Sequence, residues 1–192
     1  YRVNDPVYNS HGFLIHDYFF AKTLDKLRAG GVAAYITTKG TMDKESTKVR
    51  EFLFKKAELL GAIRLPNTAF KNAGTKVTAD ILFLQKRERE IENPEWTTIT
   101  EDAQGFRINS YFVQHPEMIL GTMQEISGPY GMETTCVEKE GVPLGERLRA
   151  AISHITGHIP ERVEEERAEF RYEAEQPTDA PDASEVRMYS YV

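Results

Sequence analysis

An α/β fold whose sheet ends in an antiparallel hairpin is what these 192 residues predict, and three stretches carry the prediction. The first is a helix: Phe13, Leu14, Ile15, Tyr18, Phe19, Leu24 and Leu27 recur at roughly helical spacing, with Lys22, Asp25, Lys26 and Arg28 on the other side. The second follows Gly30-Gly31, which stops that helix. There Val32-Ala33-Ala34-Tyr35-Ile36-Thr37 is a β-prone apolar run with little alternation, as in a strand covered on both faces of a parallel sheet. The third is a pair of strands, residues 62–65 and about 77–85, whose connecting loop is too short for a crossover helix and therefore makes them antiparallel.

Taken in order, residues 1–11 carry Asn4, Asp5, Pro6, Asn9 and Ser10 and read as loop. After the first helix and strand, Lys39-Gly40-Thr41 forms an exit turn. Asp43 or Ser46 is placed to cap a second helix over roughly residues 48–59, with Val49, Phe52, Leu53 and Leu60 as its apolar stripe and Gly61 as its stop. Pro66-Asn67 closes the short strand that follows, and the polar loop around Lys71-Asn72-Ala73-Gly74 leads into the longer one.

Length and composition allow one real core with a small appendage: 40% of the residues are hydrophobic and 10% aromatic, ordinary for a globular protein. The single cysteine, Cys136, excludes an intrachain disulfide framework and a thiolate zinc site and suits a cytoplasmic protein. No run is apolar and long enough to span a bilayer, so no membrane partner is expected. The net charge of −6 is unevenly spread: through Glu90 there are 16 Lys and Arg against 10 Asp and Glu, and the remainder holds 8 against 20. The basic half suits phosphate, although lysines on solvated helix faces explain such a surplus equally well.

Residues beyond position 86 change character. Residues 87–94 are charged and end in Asn-Pro, as a linker does, and Trp96-Thr97-Thr98-Ile99-Thr100 is β-prone. Gly128, Pro129, Tyr130 and Gly131 make a loop, residues 134–137 a strand, and residues 144–155 an amphipathic helix with Leu144, Leu148, Ile152 and Ile155 on one side. Residues 161–175 are mostly charged and residues 177–184 turn-rich, an exposed helix and a linker. The expected division is thus residues 1–90 as an α/β unit, 91–158 as a small α+β accessory segment, and 159–192 as an acidic helix and linker.

Particular motifs then point to a family. Phe13-Leu14-Ile15-His16-Asp17-Tyr18-Phe19-Phe20, Gly30-Gly31-Val32, Leu65-Pro66-Asn67-Thr68-Ala69-Phe70 and Ala79-Asp80-Ile81-Leu82-Phe83-Leu84-Gln85-Lys86 together resemble the second half of an adenine-N6 DNA methyltransferase. The resemblance is above all to the methylase region of large helicase–methylase fusion proteins carried by bacterial mobile elements. More distantly, the chain is similar to the modification subunits of type I restriction systems. The likeness is strong over residues 11–87 and weaker to about residue 155, where Ile108-Asn109-Ser110-Tyr111-Phe112-Val113 and the His115-Pro116 turn also resemble the fusion proteins.

This resemblance implies a partial Rossmann-like methyltransferase sheet whose last strand inserts against the others. It implies methyl transfer from S-adenosylmethionine to adenine N6 in DNA by a parent enzyme, with DNA and the remaining domains of that parent as partners. The family's glycine-rich cofactor turn and its Asn/Asp-Pro-Pro-Phe/Tyr loop do not occur here; Asn4-Asp5-Pro6-Val7 is only a near miss. No catalytic residue is therefore expected in this chain, and Tyr1 in place of methionine suggests a piece of a longer protein. A fragment of this kind is expected to be inactive alone, to bind the cofactor weakly, and to self-associate through an open sheet edge. A different class, a non-enzymatic DNA-contacting or interdomain adaptor, remains open.

The resemblance also nominates site residues. Phe70 matches the aromatic residue before the final hairpin strand, which in the family stacks on the extruded adenine; a plug that seats the hairpin loop on the core is the competing role. Phe13, Leu14 and His16 match positions near the cofactor's adenine, although periodicity alone makes Phe13 and Leu14 core residues. No metal site is expected, because His154 and His158 lack the glutamate of a zinc-protease helix. Lys39-Gly40-Thr41 imitates a phosphate loop without its upstream glycine and reads as a turn, and Cys136 reads as a structural thiol.

Overall fold

Helix α1 (Ile15–Lys26) begins where the Asp17 carboxylate accepts the Leu14 N–H at 3.2 Å, which closes the first turn. It buries Asp17, Phe20, Ala21 and Leu24, while Leu14, Ile15 and Phe19 are exposed, so of the apolar stripe expected from periodicity Leu24 and Leu27 pack on the core and the first turn does not. The helix is oriented by its neighbours: the Phe20 ring lies 4.7 Å from that of Tyr35 on the following strand. A computed structural model describes residues 5–128 and 131–159 of the chain. The helix and linker expected over residues 161–184 lie outside the described residues, as do the loop residues Pro129 and Tyr130.

Strand β1 (Val32–Thr38), strand β2 (Ala57–Leu65) and strand β3 (Ala79–Lys86) form one sheet in the order β1-β3-β2. Both pairings are antiparallel, so β3 is inserted between two strands that run the same way. The expected terminal hairpin and inserted last strand are therefore observed. The expectation that β1 is covered on both faces fails: Val32, Ala34, Ile36 and Thr38 are exposed, and only Ala33, Tyr35 and Thr37 face the layer beneath. Among the described residues β1 pairs on one edge alone, and the apolar run reflects a face that no described element covers.

Between β1 and β2 the chain forms a four-residue helix, α2 (Gly40–Asp43), where a turn was expected, and then α3 (Lys48–Lys56). Helix α3 ends three residues earlier than its expected span, and residues 57–61 belong to β2. Helical propensity there is overridden by pairing with β3, which runs from Ala57 opposite Lys86 to Leu65 opposite Ala79. A bulge between Leu59 and Gly61 absorbs the misfit. Gly61 is thus no helix stop: a Cβ there would come within 2.9 Å of Ile155, so the glycine permits close packing within the strand. Nor does Asp43 or Ser46 cap α3, whose first turn instead has the Thr47 hydroxyl donating to Glu51 at 2.5 Å.

Two small hairpins and two helices complete the described chain. Strands β4 (Ile99–Glu101) and β5 (Arg107–Asn109) pair, and helix α4 (Ser110–Gln114) follows, capped by the Asn109 side chain accepting the Tyr111 N–H at 2.9 Å. Strands β6 (Gly121–Gly128) and β7 (Gly131–Glu138) form the second hairpin, and helix α5 (Leu144–Ser153) packs Leu144 and Leu148 inward, leaving Ile152 exposed. Ile108, Phe112, Met118, Leu120 and Cys136 join one buried cluster with Leu53, Ile63 and Leu82, so the segment after residue 90 shares the core of the sheet. Among the described residues no helix is long and apolar enough to cross a membrane.

Candidate functional site

Strands β1 and β2 end at the same end of the sheet, at Thr38 and Leu65, and β3 begins there at Ala79. Two clefts open at this end. The smaller, about 520 Å³, is lined by His16, Phe19, Phe20, Ile36, Phe70 and Thr75 and is mainly apolar. The larger, about 670 Å³, is walled by Lys39 and Thr41 of the β1–α2 junction, Asn67 and Thr78 of the β2–β3 loop, and Thr134 and Thr135 of β7. Both volumes lie in the range of ligand sites, roughly 300–1,000 Å³. The clefts meet along His16, Thr38 and Val77.

The wall contributed by β7 is fixed by polar contacts. The Asn67 N–H donates to the Cys136 carbonyl at 2.7 Å, and the Cys136 N–H to the Thr78 hydroxyl at 2.9 Å. Thr78 and Thr135 share a hydroxyl bond of 2.9 Å, and Thr68 donates to Glu138 at 2.7 Å. Cys136 itself is fully buried, and burial pushes its thiol up to about 12, which suits a packing role and no nucleophilic one.

Beneath α2 sits a buried ion cluster. Arg64 grips Asp80 with two bonds of 2.9 Å, reaches Asp43 at 2.7 Å, and lies 4.2 Å from the centre of the Phe112 ring. Burial opposes the charge on Arg64, but Asp80 and Asp43 beside it hold its pKa above the ordinary guanidinium value. Asn109 adds to the clamp, donating its N–H to Asp43 at 3.0 Å and its side-chain amide to the Met42 carbonyl at 3.1 Å. Buried Arg50 donates to the Thr41 carbonyl at 3.2 Å and to the Thr97 carbonyl at 2.8 Å. The segment after residue 90 therefore braces the helix that walls the larger cleft.

The expected site residues separate under this geometry. Phe70 is half-buried on the β2–β3 loop, lines the smaller cleft, and belongs to no aromatic pair among the described residues, while its remaining surface packs on the core. Both roles weighed for it thus have a physical basis. His16 stands where the two clefts meet, 3.2 Å from Asp17, and exposed Leu14 lies at the rim of the larger one. Phe13 lines neither cleft: its ring stacks 5.0 Å from His11 and 5.1 Å edge-on to Phe52. Among the described residues no cluster of three or more His, Cys, Asp or Glu side chains is arranged to hold a metal ion.

Sequence reasoning missed Arg64, Asp80, Asp43 and Lys39. A signal was present for the first two, since Arg64 and Asp80 interrupt apolar strands of a hairpin, and buried charges persist in such strands when paired across them. In the sequence Lys39 reads as part of a turn. Its ammonium is half-buried and donates to the Thr134 hydroxyl at 2.8 Å, and desolvation depresses its pKa.

Comparison with known proteins adds three findings. Residues 2–111 match the family described as N-6 DNA methylase, which is more than half of the chain. A stretch of 75 residues, 38% of the chain, is 35% identical to "Defense against restriction protein B" of Escherichia phage P1, and covers 3% of that protein's length. No solved structure matches significantly.

Proposed function

This chain belongs to the N-6 DNA methylase family, and from that premise we propose that it supplies the base-holding side of an adenine-N6 methyl-transfer site in a larger DNA methyltransferase. The observation that carries this reading is the smaller cleft, lined by both His16 and Phe70, whose ring has no aromatic partner among the described residues, at the end of the sheet from which an inserted antiparallel strand departs. An adenine must leave the duplex stack to be methylated on its amino group, and an aromatic wall can replace the lost stacking.

S-adenosylmethionine would supply the methyl group when bound. The residues of this chain fit at most one rim of such a cofactor, through Leu14 and His16. Phe13 is engaged elsewhere, and the β1–α2 junction is closed by backbone bonds from Met42 and Asp43 to the Lys39 carbonyl rather than shaped as a glycine-rich turn. We therefore assign this chain the tasks of positioning the base and excluding water from it, and expect no turnover from the chain alone. The division at residues 90 and 158, a Rossmann-like relation of the sheet to the family fold, and membership of a helicase-fused, mobile-element protein belong to the same proposal. The name of the phage protein, a defence against restriction, is compatible with it.

The competing adaptor reading keeps DNA contact but assigns Phe70 to the core. Two substitutions separate them. Phe70→Ala should weaken binding of an adenine-containing oligonucleotide by about 1–3 kcal/mol while Phe70→Trp retains most of it. A core plug predicts instead a stability loss of about 3–5 kcal/mol for the alanine variant with oligonucleotide affinity unchanged in the folded fraction, and that pair of results would replace the base-holding reading.

A further inference from the structure

Lys39 lines the larger cleft. It is half-buried at the exit of β1, and its ammonium has one hydrogen-bond partner among the described residues, the neutral Thr134 hydroxyl at 2.8 Å. No carboxylate among the described residues lies within ion-pair distance of it. Asp43, the carboxylate on the adjoining helix, is taken up by Arg64 and the Asn109 N–H. Desolvation and the nearby Arg64 charge depress the pKa of Lys39 by more than the carboxylates of Asp43, Glu133 and Asp80 in its vicinity raise it. Such a group is stabilised when an anion arrives.

The surroundings say what kind of anion. Lys44 and Lys76 line the same cleft of about 670 Å³, and Thr134, which accepts from Lys39, keeps its own O–H to donate. Three carboxylates share this lining: Asp17, which accepts the Leu14 N–H, Asp43, which is held by Arg64, and Glu133, which is exposed on β7. Ammonium and hydroxyl donors around an open trough match phosphate oxygens, to which such side chains commonly bond. The trough adjoins the aromatic cleft through Thr38, the residue immediately before Lys39.

We propose that Lys39, with Thr134 beside it, receives a phosphodiester of the DNA strand whose extruded base rests against Phe70. The inference rests on the base-holding reading of the smaller cleft and extends it to the strand's backbone. Lys39 contacts phosphate and reads no base, so it anchors the strand without choosing the sequence.

The test uses the whole chain and a fluorescent single-stranded oligonucleotide containing adenine, with binding followed by anisotropy over a range of potassium chloride. Lys39→Gln should weaken every oligonucleotide sequence by the same factor and reduce the slope of log affinity against log salt by about 1. Lys39→Arg should keep the slope, and Phe70→Ala should weaken binding with the slope unchanged. A native slope in folded Lys39→Gln overturns the phosphate assignment, and leaves the base-holding reading standing if Phe70→Ala still weakens binding. A reduced slope in Lys39→Gln alongside a silent Phe70→Ala supports the phosphate contact and overturns the base reading. Salt-independent or absent binding by the native chain overturns both. Lysine acetylation of the native chain, read by mass spectrometry, avoids reliance on any variant: saturating oligonucleotide should slow modification of Lys39, and an unchanged rate overturns the proposal.

Discussion

Ile36 and Ile63 sit on opposite sides of the same residue, Ile81, in the central strand, yet Ile63 is 0% exposed and Ile36 is 61% exposed. Residue type, cross-strand partner and strand length are nearly matched, so the difference comes from what lies beyond the strands. On the β2 side the Leu120 N–H donates to the Arg64 carbonyl at 2.9 Å, and Ile155 packs against Gly61. On the β1 side the described chain offers no partner for the outer edge. Burial in a sheet is a property of neighbouring elements, and a strand's composition records the neighbours it was selected to have.

The sealed side should be the more sensitive to substitution. Arg64→Ala would leave Asp80 and Asp43 facing each other without a cation in a site from which water is excluded. Breaking a buried ion cluster in this way costs about 3–5 kcal/mol, and urea unfolding should register the loss. A change under about 0.5 kcal/mol would mean that the cluster is neutral or hydrated and that the sealed side owes its stability to apolar packing alone.

The helical layer beneath the sheet provides an intermediate case, because its polar contacts are local and titratable. Tyr8 is 5% exposed, its hydroxyl bonds the Asp25 carboxylate, and its ring packs against Tyr18 and Phe52. Burial and the Asp25 carboxylate raise the Tyr8 pKa above the ordinary value of 10.0. The folded chain therefore keeps this proton longer than the unfolded chain does. The associated stability is complete below the ordinary tyrosine value and falls as pH rises above it, by up to about 1.4 kcal/mol per pH unit. Tyr8→Phe should lack this decline, so the stability difference between native and variant should shrink as pH rises past about 10. Parallel urea curves for the two proteins across that range would show that Tyr8 ionises normally.

The same contrast explains which parts were legible in the sequence. Periodicity located α1 and β1, and loop length gave the antiparallel hairpin, because these depend on local pattern and chain reach. The packed face of α1 was not legible, since Phe19 and Phe20 are equally apolar and tertiary neighbours, the Tyr35 ring among them, decide between them. The boundary between α3 and β2 failed for a similar reason: Ala57-Glu58-Leu59-Leu60 suits a helix locally, and pairing with β3 turns it into strand. At the site, family motifs led to His16 and Phe70, which do line one cleft, and to Phe13, which does not. Lys39 became visible only when the β7 hairpin, far away in sequence, brought Thr134 to its ammonium.

The smallest effect on stability is expected at Ile36, and it bears most directly on the comparison. If Ile36 is exposed because its neighbour is another polypeptide segment, replacing it should scarcely alter the folding of this chain, within about 0.5 kcal/mol, as for surface positions generally. Its effect should appear in association. The outer edge of β1 leaves the backbone donors and acceptors of alternate residues of this seven-residue strand unpaired among the described residues, beside the exposed side chains of Phe19, Val32 and Ile36. Two such edges can pair antiparallel, burying apolar surface and satisfying backbone groups together, whereas an edge lysine adds like charge and bulk at the seam. Light scattering on the native chain should show concentration-dependent self-association that Ile36→Lys abolishes while thermal stability stays unchanged. A native chain that remains monomeric at high concentration would mean that the open side of β1 is tolerated in water, and the difference between Ile36 and Ile63 would then mark only the limit of the core.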